Sequence, residues 1–398
     1  MNLNTVLISF GWIFVGVCTN ADPRFALRTR HSWRCLKYED DFFEQSDAYD
    51  CKNNFLVDME ATPDGRTFVT IMRDNGVPAS LATIGTPTGD GGGPLLKPYP
   101  NWYWHNASNC DNIIAVYRMT RDECNRLWVL DSGIVGGKVK CNPKLLAFDL
   151  STNELVQRVD IPPKLATNAD GKGLLVTLVA NTVGIDCGGI NIYMADILGN
   201  GLIVWNGNDT WRIESPYFEP DPNATDFSVD GTDFKFSRGL FALSITKDEI
   251  APDRLLYFRP LSSYNMYHTR VADLHAKKHN QSSIEYFKEP TKLPSQSVVQ
   301  SFSAKGILFF SGTTEMSIRC WNRHKPFIPE NIVTVARNER TLQWASCIKI
   351  YPGNPSETLW VLSDRWEDFY TKKMNFNETN FRILVGRVDD LVRGTNCE

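Results

Sequence analysis

The stretch Arg126-Leu127-Trp128-Val129-Leu130-Asp131-Ser132-Gly133 predicts a short buried strand that ends in a turn. Similar apolar runs, each closed by a small or polar residue, begin at Arg66, Asn191, Arg254, Gly306 and Thr358. The six starts at 66, 126, 191, 254, 306 and 358 are separated by 60, 65, 63, 52 and 52 residues. Regular repetition of strands at a long period predicts a propeller or a solenoid. An unrelated all-β sandwich is the alternative, but a sandwich has no reason to repeat at this period.

Each of these six runs is also flanked by similar segments of sequence. An apolar segment precedes it, a second follows it, and an outer strand such as residues 154–161 completes a sheet of four strands. Six such units predict an all-β fold, a six-bladed β-propeller that forms one domain over residues 22–398. The polar and aromatic segment 22–50 is expected to supply a strand to the last blade, because joining the first and last blades removes the free edges of the ring.

Charge and composition exclude some partners. The chain has 398 residues, a formal net charge of −4 and 12% aromatic residues. Nucleic acid and anionic membranes require a basic face, so neither is predicted as a partner. The glycines in Gly89-Asp90-Gly91-Gly92-Gly93 do not predict a phosphate loop, because no Gly-Lys-Ser/Thr follows them.

The amino terminus predicts secretion. Residues 6–17 are almost wholly apolar, too short to span a bilayer, and followed by small residues suited to cleavage, so residues 1–21 are interpreted as a signal peptide. Five Asn-x-Ser/Thr sequons are the predicted glycosylation sites of an extracellular glycoprotein. They lie at Asn106, Asn208, Asn223, Asn280 and Asn377.

The cysteines fit an oxidising compartment. Cys18 lies in the predicted signal peptide and nine cysteines remain, dispersed and without a CxxC pair, so disulfides are predicted and a zinc site is not. An odd number leaves at least one thiol unpaired. Cys347 lies within an apolar strand and is the candidate for that buried thiol.

Several motifs resemble the insect yellow and major royal jelly protein family. They cover essentially the whole mature chain in the family's order. They are Leu127-Trp128-Val129-Leu130-Asp131-Ser132-Gly133, Asp74-Asn75-Gly76-Val77-Pro78, Pro98-Tyr99-Pro100, Gly201-Leu202-Ile203-Val204, Cys320-Trp321-Asn322 and Arg393-Gly394-Thr395-Asn396-Cys397-Glu398.

The resemblance implies a six-bladed propeller, in agreement with the repeat. It also implies disulfides between Cys110 and Cys141, Cys124 and Cys187, and Cys320 and Cys397. Cys35 and Cys51 are additional to that set and are expected to pair with each other, which leaves Cys347 free.

The resemblance implies three functions. Yellow proteins are linked to pigmentation and melanin biosynthesis, and some are similar to dopachrome or dopaminechrome tautomerases. Salivary relatives bind biogenic amines without turnover, and royal jelly members are secreted nutritive glycoproteins. The prediction is a melanin-linked protein that acts on a small aromatic aminochrome in the central pocket. The alternatives are a non-catalytic binder of small aromatic amines and a nutritive or matrix glycoprotein.

The strand before each anchor is expected to be the innermost of its blade and to line the channel. Polar and aromatic residues near the starts of these strands are therefore the ligand-binding candidates. In the amine-binding relatives the stretch like Thr341-Leu342-Gln343-Trp344 contacts ligand, so Trp344 is expected to stack on an aromatic ring; packing between blades is its alternative role. The candidates are Asn54, Asn112, Arg238, Gln300, Thr341, Gln343 and Trp344.

A tautomerase needs an acid and a base near neutral pKa. Asp131, Asp196 and Asp364 follow anchor strands and are the catalytic candidates, with His105 and His324 in loops as further ones. The alternative role of such aspartates is to bond the backbone of turns. No cofactor and no metal site is predicted.

Overall fold

The structure is a computed structural model that describes residues 27–39, 49–87, 92–184, 187–248 and 254–398. The predicted signal peptide and Gly89 to Gly91 lie outside the described residues. Strand β1 belongs to the last blade, and the other blades follow in chain order. The first strands are β1 (Arg28–Trp33), β2 (Leu56–Ala61), β3 (Thr67–Ile71), β4 (Leu81–Pro87) and β5 (Pro94–Pro98), of which β2 to β5 form blade 1.

Blades 2 and 3 each have four antiparallel strands, and a short hairpin of β8 and β9 branches from blade 2. Blade 2 comprises β6 (Val116–Arg121), β7 (Arg126–Asp131), β10 (Lys144–Asp149) and β11 (Leu155–Asp160), with the hairpin β8 (Ile134–Val135) and β9 (Lys138–Val139). Blade 3 comprises β12 (Leu175–Val183), β13 (Gly189–Asp196), β14 (Gly201–Trp205) and β15 (Thr210–Glu214).

Blades 4 to 6 repeat the arrangement, and the hairpin of β16 (Asp226–Val229) and β17 (Thr232–Lys235) precedes blade 4. Blade 4 has β18 (Leu240–Ile245), β19 (Leu255–Pro260), β20 (Tyr267–Arg270) and β21 (Phe287–Lys288). Blade 5 has β22 (Gln300–Phe302), β23 (Ile307–Gly312), β24 (Ser317–Asn322) and β25 (Val333–Arg337). Blade 6 has β26 (Trp344–Tyr351), β27 (Thr358–Asp364) and β28 (Phe381–Arg387), and β1 is its fourth strand.

Helices are short and lie in the connections. The α-helices are α1 (Pro163–Ala166), α2 (Val271–Ala276), α3 (Trp366–Tyr370) and α4 (Val388–Val392). The 3₁₀ turns are Cys51–Asn53, Trp102–His105, Pro216–Phe218, Pro222–Ala224, Gln281–Ser283 and Pro329–Asn331. Among the described residues, no helix is long and apolar enough to cross a membrane.

The predicted all-β, six-bladed propeller is therefore confirmed. Each anchor run is the second strand of its blade, and the strand before it is the innermost, because β2, β6, β12, β18, β22 and β26 approach one another around the axis. The expected closure also occurs, since β1 pairs antiparallel with β28. Apolar side chains between neighbouring blades form the core, as sheet-on-sheet packing requires.

Four disulfides are formed: the three pairs that the resemblance implies and the additional pair that was expected between Cys35 and Cys51. They join Cys35 to Cys51, Cys110 to Cys141, Cys124 to Cys187 and Cys320 to Cys397. Cys347 is free and buried in β26. All five sequon asparagines are exposed, so each is accessible to a modifying enzyme.

Candidate functional site

The axis of the propeller contains a cavity of about 550 Å³. It extends from the middle of the innermost strands to the turns that follow them, and all six blades contribute to its wall. A volume of this size lies in the usual range for small-molecule sites. Representative lining residues are Asp58, Arg118, Thr177, Leu243, Gln300 and Lys349.

Two carboxylates and one ammonium lie together in the cavity wall. Lys349 Nζ is 3.2 Å from Glu60 Oε2 and 3.9 Å from Asp58 Oδ2, and it donates a hydrogen bond of 2.8 Å to the Met119 carbonyl. Arg118 Nη1 lies 3.6 Å from the other oxygen of Asp58. Alternation along β2 places Asp58 and Glu60 on the same face of the strand, toward the axis.

Burial sets the protonation behaviour of this group. Desolvation raises the pKa of Glu60, and the attraction of Lys349 offsets only part of that rise. Burial by itself would lower the pKa of Lys349, but Asp58 and Glu60 outweigh it and the pKa is raised. Lys349 therefore remains an ammonium at neutral pH, while Glu60 is a weaker acid than an exposed glutamate.

Two further cations lie at the mouth where the innermost strands end. Neither the Arg121 nor the Lys247 side chain has a hydrogen-bond or ion-pair partner among the described residues, and Arg121 Nε is buried without one. The surrounding protein desolvates the Lys247 ammonium and lowers its pKa, although the side chain reaches solvent at the mouth. The mouth therefore offers N–H donors to an anionic group of a ligand.

The opposite end of the channel is closed by the β16–β17 hairpin and α3. Their rings and the Trp344 ring form a cluster that we call the aromatic plug. Trp344 lies 5.8 Å from Phe227 and 6.1 Å from Phe234, centroid to centroid. The aromatic plug comprises Phe227, Phe234, Phe236, Trp344, Trp366 and Tyr370.

Buried acids lie beside the aromatic plug. Glu367 is 1% exposed, both of its carboxylate oxygens lack a hydrogen-bond partner among the described residues, and burial raises its pKa to about 8. Asp364 accepts hydrogen bonds from the Ser346 hydroxyl and the Trp366 N–H, and burial raises its pKa well above the usual range. At neutral pH the Glu367 carboxyl is therefore mostly uncharged, and Asp364 is a weaker acid than an exposed aspartate.

The structure brings three of the predicted ligand residues together at this closed end. Trp344 belongs to the aromatic plug, the Gln343 side-chain amide donates to Asp230 in the hairpin tip, and the Arg238 guanidinium lies 4.5 Å from the centre of the Phe236 ring. Thr341 is only partly buried, and its backbone N–H donates to Asn338.

The other predicted ligand residues are dispersed. Gln300 lines the open cavity, where its Oε1 has no partner among the described residues and its Nε2 donates to the Tyr257 carbonyl. Asn54 and Asn112 are buried, and their amides donate to backbone carbonyls outside the cavity. Neither asparagine lines the cavity.

The three candidate aspartates do not line the cavity and lie in three different blades. Asp131 accepts from the backbone N–H groups of Ile114, Ala115 and Gly133 and lies 2.9 Å from Lys144 Nζ. Asp196 similarly bonds backbone N–H groups and lies 2.8 Å from Arg212. These contacts are those of the turn-bonding alternative.

The two candidate histidines also lie outside the cavity. His105 Nε2 is 3.0 Å from the Tyr99 carbonyl, and burial lowers the pKa of His105 to about 3. His324 is largely exposed and lies 2.9 Å from Asp248. Among the described residues, no group of three or more His, Cys, Asp or Glu side chains could hold a metal ion.

Sequence reasoning missed the charged cluster because it considered only the starts of the innermost strands. A signal was present in Leu56-Val57-Asp58-Met59-Glu60, where two acids alternate with apolar residues in a predicted innermost strand. Since alternate residues of a strand share one face, both acids were bound to face the axis or the next blade. Lys349, a basic residue within the apolar innermost strand of the last blade, was the corresponding signal of opposite charge.

These features define a six-bladed β-propeller with a charged axial cavity that is open at one end. The family model described as "Major royal jelly protein" matches residues 114–397. The chain is 33% identical to major royal jelly protein 9 of Apis mellifera, over 97% of this chain and 95% of that protein. It is 34% identical to major royal jelly protein 1 of Apis mellifera, over 92% and 89% respectively. The chain belongs to the major royal jelly protein family.

Proposed function

We propose that this protein is a secreted tautomerase that converts a small aromatic aminochrome to a dihydroxyindole in the axial cavity, in the chemistry of melanin formation. The observation that carries the proposal is the buried carboxyl of Glu60, whose pKa is raised while it lies 3.2 Å from the ammonium of Lys349. A carboxylate with a raised pKa is suited to take a proton from carbon and return it.

The reaction is a proton shift without net oxidation. Glu60 removes a proton from one of the two saturated carbons of the aminochrome ring, and the electron pair moves through the ring to one quinone oxygen, which takes a proton and becomes the first hydroxyl. A proton then leaves the second saturated carbon and the other quinone oxygen gains one, which yields the second hydroxyl and the aromatic dihydroxyindole. Lys349 and Arg118, which line the axial cavity, supply the positive charge that stabilises the developing oxyanion.

The mouth of the cavity favours a substrate that carries a carboxylate. Arg121 and Lys247 are cations whose side chains have no partner among the described residues, and Arg121 is close enough to Glu60 to affect its pKa. A carboxylate bound there would leave the ring of the substrate deeper in the channel, toward Glu60. Dopachrome, with its carboxylate, therefore fits this proposal better than dopaminechrome.

The disulfides and sequons support an extracellular role. Four disulfides and five exposed sequons suit a protein that folds in an oxidising compartment. Pigment precursors that form outside cells would be within reach of such a protein.

The test measures loss of dopachrome absorbance by purified protein against a heat-denatured control. Glu60→Gln is expected to lower turnover by about 10² or more, because it removes the base and keeps the shape. Glu123→Gln is the matched control, since Glu123 is exposed at the cavity rim and should leave turnover unchanged. Wild-type turnover no higher than the denatured control, or equal turnover in both variants, would reject the proposal.

A second candidate function is binding of small aromatic amines without turnover. The observation that favours it is the aromatic plug, because α3 carries both two of its rings and Glu367, whose carboxyl has no partner among the described residues. Aromatic faces and a carboxyl group are the usual partners of an ammonium ion. Saturable quenching of tryptophan fluorescence by dopamine or serotonin, without turnover, would favour this function. If neither turnover nor quenching is observed, a nutritive or matrix glycoprotein is the function that remains.

A further inference from the structure

Arg259 is the most unusual charged residue of the described chain. It lies in β19 of blade 4, is 0% exposed, and none of its three guanidinium nitrogens has a hydrogen-bond partner among the described residues. An arginine buried in a protein normally forms ion pairs or hydrogen bonds with all of its N–H groups, because an unpaired buried charge is strongly unfavourable.

An aromatic ring of the neighbouring blade covers Arg259. Alternation along β19 places Arg259 on the same face as Tyr257, whose ring packs in the cluster between blades 4 and 5. The guanidinium carbon lies 5.2 Å from the centre of the Phe310 ring in blade 5. This contact covers one face of the guanidinium, while its five N–H bonds point outward in the plane of the group.

No acid among the described residues compensates this charge. Burial alone lowers the pKa of Arg259 to about 9, and no carboxylate contributes to the shift. The group is therefore still a cation at neutral pH. The ion pairs of other buried cations, such as Lys144 with Asp131 and Arg212 with Asp196, have no counterpart here.

We propose that Arg259 binds a small monovalent anion, a halide such as chloride, between blades 4 and 5. A halide would accept N–H bonds in the guanidinium plane and supply the missing negative charge. The single cation matches a monovalent anion, whereas a divalent sulfate or phosphate would leave a buried negative charge unpaired. The anion would join blade 4 to blade 5 and so stabilise the ring. It is independent of the axial cavity.

The first test is thermal unfolding of the full-length protein as sodium chloride replaces sodium methanesulfonate at constant ionic strength. General screening is then equal in all samples. Wild-type protein is expected to gain about 2 °C in Tm per tenfold rise in chloride above the dissociation constant. Arg259→Met, which keeps an unbranched apolar stem but removes the guanidinium and its charge, should lose this dependence.

Arg238→Met is the matched control, because Arg238 also lies over a phenylalanine ring, at 4.5 Å, but is partly exposed. It should keep the chloride dependence of the wild type. A second test locates the ion: crystals soaked in bromide should show an anomalous peak beside the Arg259 guanidinium. If Arg259→Met does not fold, the wild-type titration and the bromide peak still decide. A chloride-independent Tm, or a soaked crystal without that peak, would show that water alone solvates Arg259 and would overturn the proposal.

Discussion

At the scale of single residues, Asp131 holds together the start of one innermost strand. It bonds the backbone of Ile114 and Ala115 and pairs with Lys144, which is 1% exposed. Asp131→Ala should lower the free energy of unfolding by about 3–5 kcal/mol, because it leaves a buried ammonium unpaired. Asp111→Ala breaks an exposed pair with Arg158 and should cost less than about 1 kcal/mol. Urea unfolding measures both.

The same variant separates a structural role from a catalytic one. Turnover per folded molecule should be unchanged in Asp131→Ala, since the carboxylate does not line the cavity. A loss of turnover with wild-type stability would instead restore Asp131 as a catalytic residue.

The proposed role of Glu60 as the base predicts that turnover depends on pH. A base must be ionised, and burial raises the pKa of Glu60, so kcat/KM should fall as pH decreases through that raised pKa and reach a plateau above it. The pH profile of dopachrome loss, corrected for the spontaneous reaction, measures this. A profile without this acidic limb in wild-type protein would contradict the role of Glu60.

The site residues show how far a sequence alone can lead at this scale. Gln300 was expected in the channel and lines the cavity, whereas Asn54 bonds the backbone of a loop outside it. Both are polar residues near the start of an innermost strand. What separates them is the direction of the side chain, which is fixed by the register of each strand with its neighbours and cannot be obtained from the type of residue.

At the scale of elements, the β16–β17 hairpin and α3 decide which end of the channel is open. Among the described residues, the other hairpin outside the six blades is the short pair β8 and β9 of blade 2, so the repeat could not predict the β16–β17 hairpin, although it did predict the second strand of every blade. In the sequence, the phenylalanines of this hairpin are of a type that is equally common in the strands of a blade. Only the folded chain shows that they pack on Trp344 and Trp366 and close one mouth.

The raised pKa of Glu367 in α3 predicts how the stability of this closed end depends on pH. Its pKa is about 8 in the folded protein, mainly because of burial, against an ordinary value of 4.5. Between these values the folded state binds more protons than the unfolded state, so the free energy of unfolding falls as pH rises from about 4.5 to about 8. Each unit of pKa difference is worth about 1.4 kcal/mol.

Glu367→Gln should therefore have a higher free energy of unfolding than wild type at pH 9 and a similar one at pH 4.5. Glu339→Gln, at an exposed site, should match wild type at both. Urea unfolding at the two pH values makes the comparison. Equal stabilities of Glu367→Gln and wild type at pH 9 would mean that the carboxyl is solvated in the folded protein.

At the scale of the whole molecule, stability depends on closing the ring. The spacing of the anchors predicted six blades, and the extra segment before the first blade predicted the closing strand. The pairing of β1 with β28 satisfies the edge of blade 6. The sequence could not show which side chain fastens the closure to blade 1, because that contact joins residues 61 positions apart.

Trp33 at the end of β1 is that side chain. It is 1% exposed, packs in the cluster between blades 6 and 1, and its indole N–H donates a hydrogen bond of 2.7 Å to the Pro94 carbonyl in β5. Trp33→Ala should lower the free energy of unfolding by about 3–5 kcal/mol, through lost packing and an unpaired carbonyl. Trp33→Phe keeps most of the packing and should cost less, and Val139→Ala, at a largely exposed site, should cost about 0.5 kcal/mol or less.

Because the loss of stability in Trp33→Ala lies at the closure of the ring, amide hydrogen exchange in this variant should accelerate first in β1 and β28 and later in β13 of blade 3. Uniform acceleration in all six blades would instead show that the ring unfolds as one unit and that the closure has no separate stability.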